Sequence, residues 1–417
     1  MPATDNQGSF LNLISIRRNQ LPSIETDQEL EDLDLFQKHV AIRFSDILSS
    51  LSTTAPAANN ASTAGSGDTP SSATADTDSP GAAAPAIDKY IPPPPPPFLS
   101  INWFRTLLDT FLCCEAEFKA VLVSGRDPSQ FSKPPLDRLI PDLLERAVKA
   151  LDVCNAVSHG VELVRHWQKL GQIAAAALQQ TPIGEGQVRR ARKALATLLT
   201  SMVLDDKDNP HGKSAAAAKD RRGSFRSLSW SVAKSWSAAK QIQAMSTNLA
   251  APRGAESTGL AMPIYIMSII LVFVMWALVA GVPCQERNGL ATHLPVPKQL
   301  GWAQPMGGLL EKMGEEWKKK EKKGSGTGLL EEIQRMEKVA QSLIDFADSF
   351  VFPLEEEKAA EMAVQVAELA EICRKMEEGL VPLQQQVREV FHRMVRSRAE
   401  VLEVLEQVSK SSVPVPY

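Results

Sequence analysis

The sequence predicts an all-α protein, an elongated helical bundle with one strongly apolar helix that is either transmembrane or a buried core helix. Two observations predict the helical class. Apolar residues recur at three- and four-residue spacing over most of the ordered-looking chain. Aromatic residues are only 6% of the 417 residues, with three tyrosines and few β-branched runs, which argues against a large sheet. A third observation singles out the apolar helix: Leu260 to Val282, LAMPIYIMSIILVFVMWALVAGV, carries no charged side chain.

The elements follow in order. Residues 1–52 hold a short amphipathic helix over Gln28 to Ser50, with Leu30, Leu33, Phe36, Val40, Phe44, Ile47 and Leu48 on one face. Residues 53–97 turn to Ala, Ser, Thr, Gly, Pro and Asp. Such a stretch has too little apolar surface to offset its ordering entropy and reads as a disordered linker ending in a stiff run, Pro92 to Pro97. Residues 98–204 predict a helical bundle of three segments. Ile101, Phe104, Leu107, Leu108 and Phe111 mark the first. A long stripe from Leu139 to Leu170 marks the second, broken at Thr181-Pro182. Val188, Ala191, Leu195 and Leu198 mark a basic third helix over Gly186 to Leu204. Residues 205–256 read as a basic flexible segment, 257–284 as the apolar helix, and 285–328 as a polar linker. Residues 329–410 supply two long helices with Pro382 kinking or splitting the second, and 411–417 form a tail.

Composition excludes several classes. A formal net charge of -4 offers no basic field, so nucleic acid is not an expected partner. The five cysteines (Cys113, Cys114, Cys154, Cys284, Cys373) make no CxxC pair, which speaks against a disulfide framework or a zinc module and for a reducing compartment. The apolar patch from Phe10 to Ile16 is too short for a secretory core and precedes Arg17-Arg18, so no cleaved signal peptide is expected.

The apolar helix has two readings. Leu260, Pro263, Ile264, Leu271, Phe273, Trp276 and Val282 lie in a run long enough to cross a bilayer, with Pro263 tolerated in the first turn and Pro283 at the exit. The same run suits a core helix buried on all sides. Flanking basic residues tie, Lys240 and Arg253 before against Arg287 and Lys298 after, so no orientation follows.

No catalytic constellation emerges, and no cofactor or metal is expected. Gly324 to Gly328 lacks the preceding strand and the Gly-Lys-Ser/Thr of a phosphate loop and reads as a joint. His159, Glu162 and His166 lack the close spacing and further ligands that zinc needs. The expectation is a protein that is not an enzyme. Ser224 and Ser229 each stand three residues after an arginine, Arg221 and Arg226, and are candidate phosphorylation sites whose charge would create or hide a docking surface. The same basic cluster suits anionic membrane lipids, and Cys284 at the edge of the apolar run suits acylation. A candidate partner face lies on the last helix: Val387, Val390, Met394, Val401, Leu402 and Leu405.

Several stretches resemble the plant BYPASS-related family, most closely its ROH-type branch. They are LDVCNAVSHGVELVRHWQ (Leu151 to Gln168), PIGEGQVRRARKALA (Pro182 to Ala196), Met245 to Gln285, and the C-terminal EEWKKKEKK, LLEEIQRMEKVAQSL, LAEICRKMEEGL and VREVFHRMVRSRAEVL. The resemblance implies a non-catalytic helical protein of developmental signalling. It also implies a link to the exocyst, whose tethering subunits act in vesicle secretion and cell-wall polysaccharide deposition. It carries no catalytic or ligand residue over to this chain. Two other functions stay open: a soluble cytosolic regulator built around the apolar helix, and an enzyme of small-signal metabolism.

Overall fold

The computed structural model describes residues 24–51, 95–123, 128–204, 236–254, 259–284, 289–290, 294–297, 299–322, 327–351 and 355–411. Among these residues are nine α-helices, two short 3-10 turns and no strand. The helices are α1 (Ile24–Ser50), α2 (Ile101–Val123), α3 (Leu136–Leu178), α4 (Glu185–Leu204), α5 (Ala238–Ser246), α6 (Ala261–Gly281), α7 (Gln304–Lys322), α8 (Glu331–Asp348) and α9 (Glu356–Ser411). The two turns are Pro128–Ser132 and Gly301–Ala303.

Local chemistry sets several of these boundaries. Ser100 caps α2 by accepting the backbone N–H of Trp103 at 3.2 Å, and Ser237 caps α5 in the same way through Lys240. Gly259, at φ +63°, turns the chain into α6 through a conformation that other residues rarely adopt. Pro382 lies inside α9 and does not split it. The cost of the missing backbone donor, about 3 kcal/mol, is offset where Leu380 and Leu383 on either side are buried.

α6 is the centre of the molecule. Every residue of it except Met262 is buried, and so are Leu260 and Val282 at its ends. It packs against α3, α2 and α5, with α1 and α7 completing the cover. Named contacts come from each side: Phe44 of α1 meets Phe273 edge-on at 5.9 Å, and Cys154 of α3 lies 3.9 Å from the Met275 sulfur. Tyr265 meets Trp302 of the Gly301–Ala303 turn at 6.3 Å. Two glycines permit this closeness. A methyl group on Gly160 would fall 2.0 Å from the Pro283 carbonyl oxygen, and one on Gly281 would fall 2.2 Å from the Phe104 ring.

Around this centre α3, α8 and α9 form an outer layer with α4. α3 spans 43 residues and α9 56, which at 1.5 Å per residue makes them roughly 65 and 84 Å long. α9 packs along α3, α2 and α8. Two stretches read as connections prove to contain core helices. In 205–256, α5 buries Ala238, Ala239, Ile242 and Met245; in 285–328, α7 buries Met306, Leu309, Leu310 and Met313. α5 has only nine residues and α7 is rich in lysine and glutamate, so periodicity alone did not mark them. Most of the linker 53–97, the tail from 412 onward, and the Gly-rich joint apart from Thr327 and Gly328 lie outside the described residues.

Candidate functional site

The predicted partner face on α9 divides in two. Val387, Val390 and Met394 are buried against α2 and α3, so the first half of the proposed row is core and is not available to a partner. These side chains join the common apolar core, and a set of polar ties flanks them along α9. Gln386 donates to the Asp109 carboxylate at 2.6 Å and accepts from Arg105 at 3.1 Å. Gln384 donates to Glu162 at 2.7 Å and accepts from Arg165 at 3.2 Å. Further along, the buried Glu115 accepts from Ser397 and pairs with Arg393 at 3.5 Å, while Lys119 pairs with Glu400 at 2.6 Å. Beyond these ties Val401, Leu402 and Leu405 are only half-buried. That end of α9 is where the predicted row meets solvent.

The candidate residues of the apolar helix, Leu260, Pro263, Ile264, Leu271, Phe273, Trp276 and Val282, are all buried in the bundle centre. α6 is nonetheless the one helix among the described residues long and apolar enough to cross a membrane. Ser224 and Ser229 lie outside the described residues.

The charged groups inside the bundle act as fasteners. Glu332 accepts the Ile101 N–H at 3.0 and 3.2 Å on its two oxygens, joining the start of α8 to the start of α2. Next to it, Leu99 at φ 62° accepts the Glu331 N–H at 3.0 Å, and Leu329 and Leu330 donate to the last carbonyls of α6, Ala280 and Gly281, at 2.9 and 3.1 Å. Burial pushes the Glu332 carboxyl up to about 7. Arg146, also buried, donates to the carbonyls of Met245 and Thr247, each at 3.0 Å, and so closes the C-terminal end of α5. Sequence reasoning missed both, although both interrupt an apolar row: Glu332 precedes Met336 by four residues, and Arg146 precedes Ala150 by four.

The chemistry available is limited. Among the described residues no three His, Cys, Asp or Glu side chains gather as a metal site would require. The carboxylate of Glu162, between His159 and His166, is already engaged by Gln384 and Arg165. Burial pushes the Cys114, Cys154 and Cys373 thiols up to about 12, far from a reactive thiolate.

A family model described as Protein ROH1-like matches residues 1–405. The chain belongs to the ROH1-like family. Within that family it is 52% identical to Protein ROH1A of Arabidopsis thaliana, over 99% of each chain. It is 41% identical to Protein ROH1D of the same plant over 74% of this chain and 82% of that one. The resemblance to the ROH-type branch read from the sequence motifs therefore holds. No solved structure matches the chain.

Proposed function

We propose that this ROH1-like protein is a non-catalytic helical adaptor that binds an exocyst tethering subunit at the cytosolic face of the secretory or plasma membrane. In that role it influences polarised secretion, cell-wall polysaccharide deposition and plant development. The observation that carries the reading is the end of α9, where Val401, Leu402 and Leu405 continue a row that is core at Val387, Val390 and Met394 but leave it half-buried. An amphipathic helix with an incompletely covered apolar row is a docking surface for another helix. Membership of the ROH1-like family supports the same reading.

Membrane association in this reading is peripheral, through the partner and through anionic lipids at the basic segment around Ser224 and Ser229, with a cytosolic pool. α6 serves as bundle core. Its withdrawal into a bilayer would strip the apolar faces of α1, α2, α3 and α5, which it covers. The test is capture of tethering subunits from plant cells by the wild-type chain and by L402D/L405D. The double variant is expected to lose capture at least tenfold while keeping the wild-type circular dichroism. Undiminished capture by a folded double variant would sink the proposal.

A further inference from the structure

α9 carries two rows at the spacing of a helix–helix seam, and the fold fills one of them. The inner row, Leu380, Leu383, Val387, Val390 and Met394, is buried. One residue further round the helix, a second row runs from Val381 to Leu402 in alternating steps of four and three residues, with Arg388, His392, Val395 and Ala399 between. Val381 is 45% exposed and Val395 42%, while Arg388, His392 and Ala399 are exposed and Leu402 is half-buried. At 1.5 Å per residue this outer row is roughly 32 Å long, enough for about six turns of a second helix. Its charge is unbalanced. Between residues 388 and 398 stand four arginines and one glutamate, and that glutamate, Glu389, is engaged by Arg393 at 3.2 Å. Arg388, Arg396 and Arg398 make no ion pair or hydrogen bond among the described residues. The Arg398 Nε is enclosed without an acceptor, so the chain leaves this guanidinium unsatisfied. Arg396, next to Val395, and Arg398, next to Ala399, stand on opposite edges of the row.

We infer that this outer row receives an amphipathic helix of a partner protein whose edges are acidic, an inference that rests on the docking role proposed for α9 and names the chemistry of the docked segment. Val381, Val395 and Leu402 offer apolar contact along one line, and the small side chain of Ala399 lets a second helix approach closely. Arg388, Arg396 and Arg398 supply donors in the fork geometry that matches carboxylates. A second copy of this chain is a poor occupant. The arginines lie in the middle of the row, so pairing in register, parallel or antiparallel, sets them against their own images. An anionic lipid surface would use the charge and leave the seam spacing without a role. Acidic side chains return on the exposed side of α9 at Glu403 and Glu406, beyond Leu402, and mark where the favourable stretch ends.

The experiment uses the full chain and two fluorescein-labelled helical peptides of three heptads, with leucine at the seam positions and either glutamate or lysine on both edges, read by fluorescence anisotropy. Wild type should bind the glutamate peptide roughly tenfold or more tightly than the lysine peptide, and R388E/R396E should reverse that order. V395Q keeps every arginine and should still weaken the glutamate peptide several-fold, as a seam requires and a purely ionic surface does not. The three substituted positions are exposed, so both variants should keep the wild-type circular dichroism. Equal affinity for the two peptides, or binding of neither, overturns the inference. So does uptake by phosphatidylserine vesicles of wild type but not of R388E/R396E, with no preference between the peptides. Capture of tethering subunits separates this failure from that of the docking role itself. If L402D/L405D loses capture while R388E/R396E keeps it, the docking role stands and the acidic partner falls; undiminished capture by both variants sinks the docking role.

Discussion

Glu332 shows how one buried side chain couples two helices, α2 and α8, to pH. Its carboxyl has a pKa of about 7 in the folded chain against 4.5 for the free group. The protonated form is thus favoured by folding, and the stabilisation it brings is fully present below about pH 4.5 and lost as pH rises through about 7. The loss is at most on the order of 3 kcal/mol. Glu332→Gln keeps an acceptor for the Ile101 N–H and removes the titration. Urea unfolding at pH 5 and pH 8 should show wild type losing stability relative to E332Q as pH rises; a constant difference would refute the assignment. Glycine positions offer a second residue-scale test, with opposite signs at two sites. Gly160→Ala forces a methyl group against the Pro283 carbonyl and should cost about 1–3 kcal/mol or more, seen as a lowered melting temperature. Gly186, in α4, has open space where its Cβ would sit, so Gly186→Ala should stabilise by about 0.5–1 kcal/mol.

At the scale of elements, α5 is the instructive case. It has nine residues, fewer than an isolated helix needs to form in water. It persists because Ala238, Ala239, Ile242 and Met245 are buried and because Arg146 closes its C-terminal carbonyls. Arg146→Met should leave those carbonyls without a donor and cost roughly 2–3 kcal/mol. Hydrogen exchange should then speed up over Ala238 to Ser246 first, with α6 unaffected. The long helices were legible in the sequence because each carries a recurring apolar stripe, and α4 begins within one residue of the expected Gly186. α5 and α7 were not legible, because a nine-residue helix and a lysine-rich one look like linkers until a core appears for them to cover. α9 was legible as a helix, but its partner face was overestimated. A stripe shows that a face seeks cover and leaves open whether the cover is internal.

For the whole molecule, the central question is what surrounds α6. Among the described residues its neighbours are helices on every side, with α1 and α7 closing the positions left by α2, α3 and α5. A chain folded in this way is expected to remain monodisperse in aqueous buffer without detergent. It should also leave membranes with the supernatant on alkaline carbonate extraction. Recovery in the carbonate pellet would show that α6 spans the bilayer. α1 is part of that enclosure, and its Phe44 reaches Phe273 at the molecular centre.

By itself, the sequence determined that the chain is helical, where its long helices run, which segment is most apolar and to which family it belongs. These follow from local periodicity, charge-free length and shared motifs, which need no knowledge of neighbours. Only the tertiary structure decided that α6 lies inside a sheath of helices, that half of the α9 row is core, and that Glu332 and Arg146 are fasteners. The physical reason is that burial and hydrogen-bond pairing are properties of two surfaces meeting, and one stretch of sequence carries only its own side of that contact.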